Sequence, residues 1–420
     1  MLNNKPARRL ILTLAISHFS LTANALPFVA SDARTAAMGG TGVASATGPT
    51  AGLSNPAMLA WDKDTKVGFS LPAGGFASDR NQTIDQIDAL QATGGELKAF
   101  SDADISDPRA YSSAAEDLAD GLSNISGNFV RAGASLGAAL LLPLPKSRLA
   151  FTATAQAYAS ATPTIAANDL QALRALSDLG TTVSNCSTPP KTCVNGALFQ
   201  SSDITSSGDI LLISVAELGL SFSTNTERFS WGVTPKIQRI SGLQYSQTFS
   251  DSDGFNSDSL TDATHEQTSA NIDAGIAWAF DEQRHWVVGL TGHNLIKQSL
   301  ELEPNGNNGN QAIQEIIIEP QLRSGLAYRL DRLTLALDVD LTENSGITKQ
   351  DTSETSQFVA FGAEYSLANV AFRAGFRSNL AESNIDDVAS VGMGLFNILQ
   401  FALAGNNEDL SGMLQLGFQI

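Results

Sequence analysis

The sequence predicts an all-β fold: an antiparallel outer-membrane β-barrel of about 14 strands, with short helices in its extracellular loops. Three observations carry this expectation. After residue 25 no apolar run reaches the ~18 residues of a membrane helix, and the best, Leu136 to Pro145, is broken by Pro143 and Pro145. Segment after segment instead alternates apolar with small or polar residues at period two, the pattern of a strand with lipid on one side and a lumen on the other. The joins between these segments alternate short and long, as a barrel with short periplasmic turns and long outer loops requires. A β-sandwich also alternates along its strands but has no reason to keep that parity of joins.

Residues 1–25 read as a signal peptide. Lys5, Arg8 and Arg9 form a basic region, Leu10 to Leu21 an apolar one, and Ala23-Asn24-Ala25 a small-x-small cleavage signal. Residues 26–64 form a segment ahead of the first strand, and residues 65–420 the barrel. Strands are expected near 66–73, 130–142, 149–158, 210–223, 228–240, 269–280, 285–295, 316–330, 332–342, 357–367, 370–378, 388–396, 399–404 and 411–420. The clearest is Leu333, Leu335, Leu337, Val339 and Leu341 interleaved with Thr334, Ala336, Asp338 and Asp340, one face aliphatic and the other small or acidic. The final strand alternates Leu414, Leu416, Phe418 and Ile420 with Gln415, Gly417 and Gln419, and resembles the C-terminal signal of outer-membrane proteins.

The long joins are acidic. Residues 79–120 hold ten acidic and three basic side chains, with helix-like stretches at Thr83 to Leu90 and Ser113 to Leu122, and a further amphipathic helix is expected over 168–179. Together they suggest a solvated cap over the barrel mouth. Cys186 and Cys193 enclose a short turn-prone segment, and an oxidising periplasm favours joining them as a local disulfide. Two cysteines do not supply a metal site. Asp251-Ser252-Asp253-Gly254 hints at a calcium loop, but the remaining ligand positions do not follow, so a plain acidic loop is expected.

Between the cleavage signal and the first strand lies Ser31-Asp32-Ala33-Arg34-Thr35-Ala36-Ala37-Met38-Gly39-Gly40-Thr41-Gly42, followed by Leu53-Ser54-Asn55-Pro56-Ala57. This run resembles the N-terminus of the FadL family of outer-membrane barrels, where Ala-Arg, Met-Gly-Gly-x-Gly and Asn-Pro-Ala precede the first strand. The whole-chain pattern is most similar to the branch of that superfamily named for the plasmid-transfer protein TraF, the barrel type and not the thioredoxin-like one. The resemblance implies a 14-stranded barrel whose N-terminal segment folds back as a lumenal plug and gates a path for hydrophobic small molecules. On that reading Arg34, Met38, Gly39, Gly40, Gly42, Asn55, Pro56 and Ala57 belong to the plug. The TraF branch implies an alternative: an accessory or structural outer-membrane component of conjugal transfer, with conjugation proteins as partners. A soluble periplasmic binding module is a third possibility.

Strand parity turns a set of charges inward: Arg131, Glu217, Lys236, Asp273, Arg323, Arg329, Asp338, Asp340, Glu364, Arg373 and Arg377. A mid-membrane Arg facing lipid would cost ~2–4 kcal/mol, which is why these side chains should face the lumen. They either fill and rigidify the lumen, or Arg323, Arg329, Arg373 and Arg377 hold an anionic head group such as a carboxylate.

The remaining chemistry points away from catalysis. His265, His285 and His293 stand near no nucleophile elbow or His-Glu-x-x-His motif, so neither an enzyme nor a cofactor is expected. With 43 acidic against 25 basic side chains and a net charge of -18, no nucleic-acid partner is expected. The expected partners are outer-membrane lipid and a hydrophobic ligand, in a Gram-negative outer membrane after export.

Overall fold

The computed structural model describes residues 22–24, 31–61, 67–79, 82–91, 95–103, 108–179, 201–249, 264–302, 305–306, 314–345, 355–381, 387–406 and 409–419. Fourteen antiparallel strands run up and down: β1 (Gly68–Asp79), β2 (Val130–Pro143), β3 (Ser147–Thr164), β4 (Ser207–Asn225), β5 (Phe229–Thr248), β6 (His265–Ala279) and β7 (Trp286–His293), then β8 (Gln321–Leu330), β9 (Leu333–Asp340), β10 (Phe358–Leu367), β11 (Val370–Asn379), β12 (Val388–Leu395), β13 (Leu399–Gly405) and β14 (Asp409–Gln419). Each pairs with its neighbour, and β14 returns to β1 from Asp409↔Ser78 to Gln419↔Gly68. The sheet is therefore closed and has no open edge, which lets backbone polar groups cross a membrane satisfied. No helix among the described residues is long and apolar enough to cross one.

Parity follows the side chains. On β9, Ala336 and Asp338 are 2% and 1% exposed while Leu337 between them is 41% exposed. Trp278 and Phe280 meet edge to face at 4.7 Å and Trp286 lies tilted against Tyr328 at 4.5 Å, forming an aromatic patch on the outer surface near the short turns. Those turns are tight: Phe396 and Asn397 between β12 and β13 both take positive φ, 53° and 54°, as a two-residue hairpin turn demands.

Two expectations of extent need correction. The segment expected as one strand over 316–330 is divided: a short strand, Gln314–Ile318, ends before Pro320, which lacks an N–H, and β8 begins at Gln321. Gln314–Ile318 pairs instead with Gln298–Leu302 as a hairpin within the join of β7 and β8. Its Leu300, Leu302, Ile316 and Ile318 are buried against Leu211, Ile213, Val215 and Ile240, on the inward face of β4 and β5. This join folds into the lumen. The second correction is height: β4 and β5 have 19 and 20 residues, well beyond the ~9–11 that span a bilayer, because their upper parts carry that hairpin.

At the loop end, α3 (Thr83–Gln91), α4 (Glu96–Asp102), α5 (Pro108–Ile125) and α6 (Ala167–Leu179) share a core of their own, with Leu90, Phe100, Leu118, Leu122, Leu173 and Leu176 buried. Of these, α4 was not foreseen. The start of α6 is clamped by Asp169, which accepts hydrogen bonds from the backbone N–H groups of Thr205 (2.8 Å) and Ser206 (2.6 Å). Burial, with Asp203 nearby, pushes the Tyr111 phenol in this core up to about 12. Cys186, Cys193 and the Asp251–Gly254 run lie outside the described residues.

Candidate functional site

Residues 31–61 are short turns and helices of small residues, which fit where long side chains would not. Helix α1 (Ala33–Ala37) starts with a capping box: Asp32 Oδ1 accepts from the Thr35 N–H (2.7 Å), and Thr35 Oγ1 accepts from the Asp32 N–H (3.3 Å). Helix α2 (Ala51–Ser54) follows, then a 3₁₀ turn, Pro56–Ala60, in which Pro56 occupies the first position that needs no N–H. Helix α1 lies against β11 to β14, and the 3₁₀ turn against β3 to β6. Met58, Leu59 and Trp61 fill the space left by small wall residues such as Ala150, Ala277, Ala279 and Ala327.

The wall meets this segment with glycine. Gly232 faces Gly275 across β5–β6, Gly289 faces Gly325 across β7–β8, and Gly362 faces Gly375 across β10–β11. A Cβ at Gly232 would lie 2.5 Å from Pro56 C, one at Gly325 2.8 Å from Val43 Cβ, and one at Gly362 2.6 Å from Met38 O; at Gly375 it would collide with Gly39 N. Only glycine admits the segment at this level. Gly39 and Gly40 take φ of +74° and +92°, the left-handed turn that closes α1.

Polar groups fix the register. Arg34 makes a bidentate pair with Glu364 (2.9 and 3.1 Å) and donates to Ser45 O (2.8 Å), while Arg373 reaches the same carboxylate at 2.6 Å. Asp338 Oδ2 accepts from the Gly42 and Val43 N–H groups (2.7 and 3.0 Å). Ser390 Oγ accepts from the Gly39 N–H and donates to Ala37 O, both at 3.0 Å. Asn55 donates to Val43 O (2.7 Å) and Ile276 O (3.2 Å) and accepts from the Ala57 N–H (3.0 Å), so it ties both halves of the segment to β6.

Arg34, Gly40 and Gly42 thus meet inward charges of β8 to β10, Met38 and Gly39 lie beside them against Gly362 and Gly375, and Asn55, Pro56 and Ala57 lie against β4 to β6. The four arginines suggested for an anionic head group are placed differently. Arg323 pairs with Asp340 and donates to Gly40 O (3.2 Å), Arg329 donates to Ala44 O (3.0 Å), Arg373 shares Glu364, and Arg377 lies over the Phe358 ring at 5.2 Å. None of the four lines the cavity described next.

Open space lies elsewhere. A cavity of about 120 Å³ stands between the N-terminal segment, which contributes Ser31 and Leu53, and the infolded hairpin, which contributes Ile318. Its polar wall holds Lys236 between Glu217 and Asp273, each at 3.1 Å, together with Gln238, Gln321 and Gln156. Pro72, Leu136 and Gly137 border it where the β1–β2 ladder is interrupted: pairing runs from Ser70↔Ala139 to Ala73↔Leu136 and skips Leu71 and Pro72. Proline has no N–H to offer β2 there. Leu136 is 62% exposed on the outer face and also borders the cavity, so the cavity reaches the wall at this point.

Most of these lining residues were not singled out by sequence. One signal was present: Ile210, Leu211, Leu212 and Ile213 are apolar at both parities, which marks a strand buried on both faces. Of the histidines, His265 opens β6 and His285 lies 2.9 Å from Asp281 at a turn. His293 contacts Asp273 (3.3 Å), Ser54 O (3.2 Å) and Thr291 Oγ1 (3.3 Å). Thr291 is buried, and His293 joins the wall to the N-terminal segment.

The chain is a closed up-and-down barrel of 14 antiparallel strands with its own N-terminal segment packed inside it. Residues 52–340 match the family described as "F plasmid transfer operon, TraF, protein", and the chain belongs to that family. Among solved structures it is similar to the Ralstonia pickettii toluene transporter TbuX, with 13% identity, a TM-score of 0.52, and 93% of this chain and 98% of that chain covered. It is likewise similar to the P. putida toluene transporter TodX, with 13% identity, a TM-score of 0.50 and the same coverage of 93% and 98%. At such identity the likeness shows the fold. No curated protein matches the chain.

Proposed function

We propose that this protein is a passive outer-membrane channel for hydrophobic small molecules, in which residues 26–64 are a plug that gates the lumen. The observation that supports this reading is the cavity: it is bordered by Ser31 and Leu53 of the N-terminal segment and by Ile318 of the apolar hairpin, and reaches the outer wall where Pro72 interrupts the ladder. A molecule arriving from the loop end would pass the hairpin and rest on the plug. It would then leave sideways past Leu136, or downward when the plug shifts. That the solved barrels of this shape are described as toluene transporters supports the same substrate class. Export by the signal peptide, with the mature chain starting at Leu26, and a surrounding shell of outer-membrane lipid belong to this reading. So does a role without catalysis.

The test is uptake of radiolabelled toluene by intact Gram-negative cells with and without the protein in their outer membrane. Faster uptake with the protein is expected, and a further change when residues 31–60 are deleted from a barrel that still folds. Equal uptake with and without the protein would count against a channel. The family description favours a second reading, an accessory of conjugal transfer. Its sign would be lower mating frequency, with unchanged toluene uptake, in donors lacking the protein.

A further inference from the structure

We propose that the cavity above the plug is a binding site for a neutral, single-ring compound bearing a hydroxyl group, of the phenol class, in preference to an anion or a plain hydrocarbon. This rests on the channel reading and narrows its substrate. Size comes first: the pocket offers about 120 Å³ and is open on one side, the same order as the apolar cavity of about 150 Å³ that takes one benzene.

Charge comes second. The cation at the wall, Lys236, is already held 3.1 Å from both Glu217 and Asp273. A bound carboxylate would be the third anion around that ammonium group; the other basic side chain at the wall, His293, already lies 3.3 Å from Asp273, and none of Arg323, Arg329, Arg373 and Arg377 borders the cavity. An anion is therefore repelled where it would have to sit.

Polarity comes third. Leu53, Val215, Ile318 and Met413 offer apolar contact, while Thr154 and Gln156 on β3 turn a hydroxyl and an amide into the same space. Gln156 is exposed to that space, so its amide is open to a ligand. A ring against the first group and a hydroxyl against the second satisfies both surfaces, whereas a plain hydrocarbon would strip water from the polar groups without replacing its hydrogen bonds.

The experiment titrates the detergent-solubilised full-length protein with phenol, toluene and benzoate by ligand-observed NMR. Toluene and phenol have nearly the same shape, and benzoate adds the charge. Phenol should saturate about threefold to tenfold below toluene, the worth of one net hydrogen bond, and at least about tenfold below benzoate. Thr154→Val combined with Gln156→Leu should bring phenol down to the level of toluene, and Val215→Trp should abolish saturable binding of both. Benzoate binding more tightly than phenol, or toluene binding as tightly as phenol, would overturn the inference. This wild-type comparison needs no variant. If toluene equals phenol while cells still take up toluene through the protein, the channel stands and the head-group preference falls. If phenol binds selectively and uptake is absent, the site stands and the channel reading falls.

Discussion

Four strands can be compared with themselves at two heights. Near the short turns β5, β6, β7 and β8 present Gly232, Gly275, Gly289 and Gly325 to the lumen; a few residues nearer the loops they present Gln238, Asp273, His293 and Gln321. At all four glycines a Cβ would run into the N-terminal segment, into backbone at Gly232 and Gly289 and into the Asn55 and Val43 side chains at Gly275 and Gly325, and the polar side chains surround the cavity. The difference teaches how one lumen can hold both a close-packed level and a pocket. The packed level is made by removing side chains, and the pocket by restoring polar ones beside Ser31 and Leu53 of the segment.

Substitutions can break this contrast. The largest effect is expected from Gly375→Leu, because the new side chain would occupy the place of Gly39: the yield of heat-modifiable barrel should collapse, while Thr154→Leu at cavity height should leave it near wild type. Glu364→Gln comes next, since it leaves Arg34 and Arg373 sharing no carboxylate; breaking such a buried network costs ~3–5 kcal/mol, read as a lower Tm and earlier proteolysis within residues 31–61. Leu337→Arg, on the lipid face, should cost ~2–4 kcal/mol of insertion. Parity alone would predict that its neighbour Ala336→Arg is tolerated, but Ala336 is packed closed, so both should lower the yield of folded barrel, whereas Gln156→Arg should not.

Subtler effects sharpen the comparison. Pro235 interrupts the β4–β5 ladder much as Pro72 interrupts β1–β2, yet there Thr234 Oγ1 donates to Ser221 Oγ at 2.8 Å and bridges the gap. Pro72→Ala should therefore slow toluene uptake and Pro235→Ala should not. The smallest effect is expected from reducing agent: a bridge between Cys186 and Cys193 closes only a local loop, so barrel mobility on a gel should persist.

What could be read from sequence follows the same division. Period-two alternation is a local property of each strand, so the 14 strands, the parity of β9 and the inward charges were visible without a structure. The motif residues Arg34 to Pro56 pointed to a plug through their resemblance to a family. The packed glycine level was hidden because glycine is neither apolar nor polar in an alternating pattern and shows its role only when another segment lies against it. The hairpin of Leu300 and Ile316 was hidden because its partners, Leu211 and Val215, lie about 100 residues away in the chain. For the arginines the facing direction was legible, but the groups that Arg323, Arg329 and Arg373 meet, Asp340, Ala44 O and Glu364, were not.

The hydrogen bonds that seat the plug also impose an order in time. Ala33 reaches Gln415 across 382 residues and Gly39 reaches Ser390 across 351. This part of the segment thus finds its seat only once β12 and β14 have formed. Contacts so distant are slow to form. Asn55 and Pro56 have partners on the earlier strands β6 and β5, and the same β14 that supplies Gln415 also closes the barrel on β1. Closing the wall and seating this part of the segment are therefore one late event, and a chain stalled before its final strand would have neither.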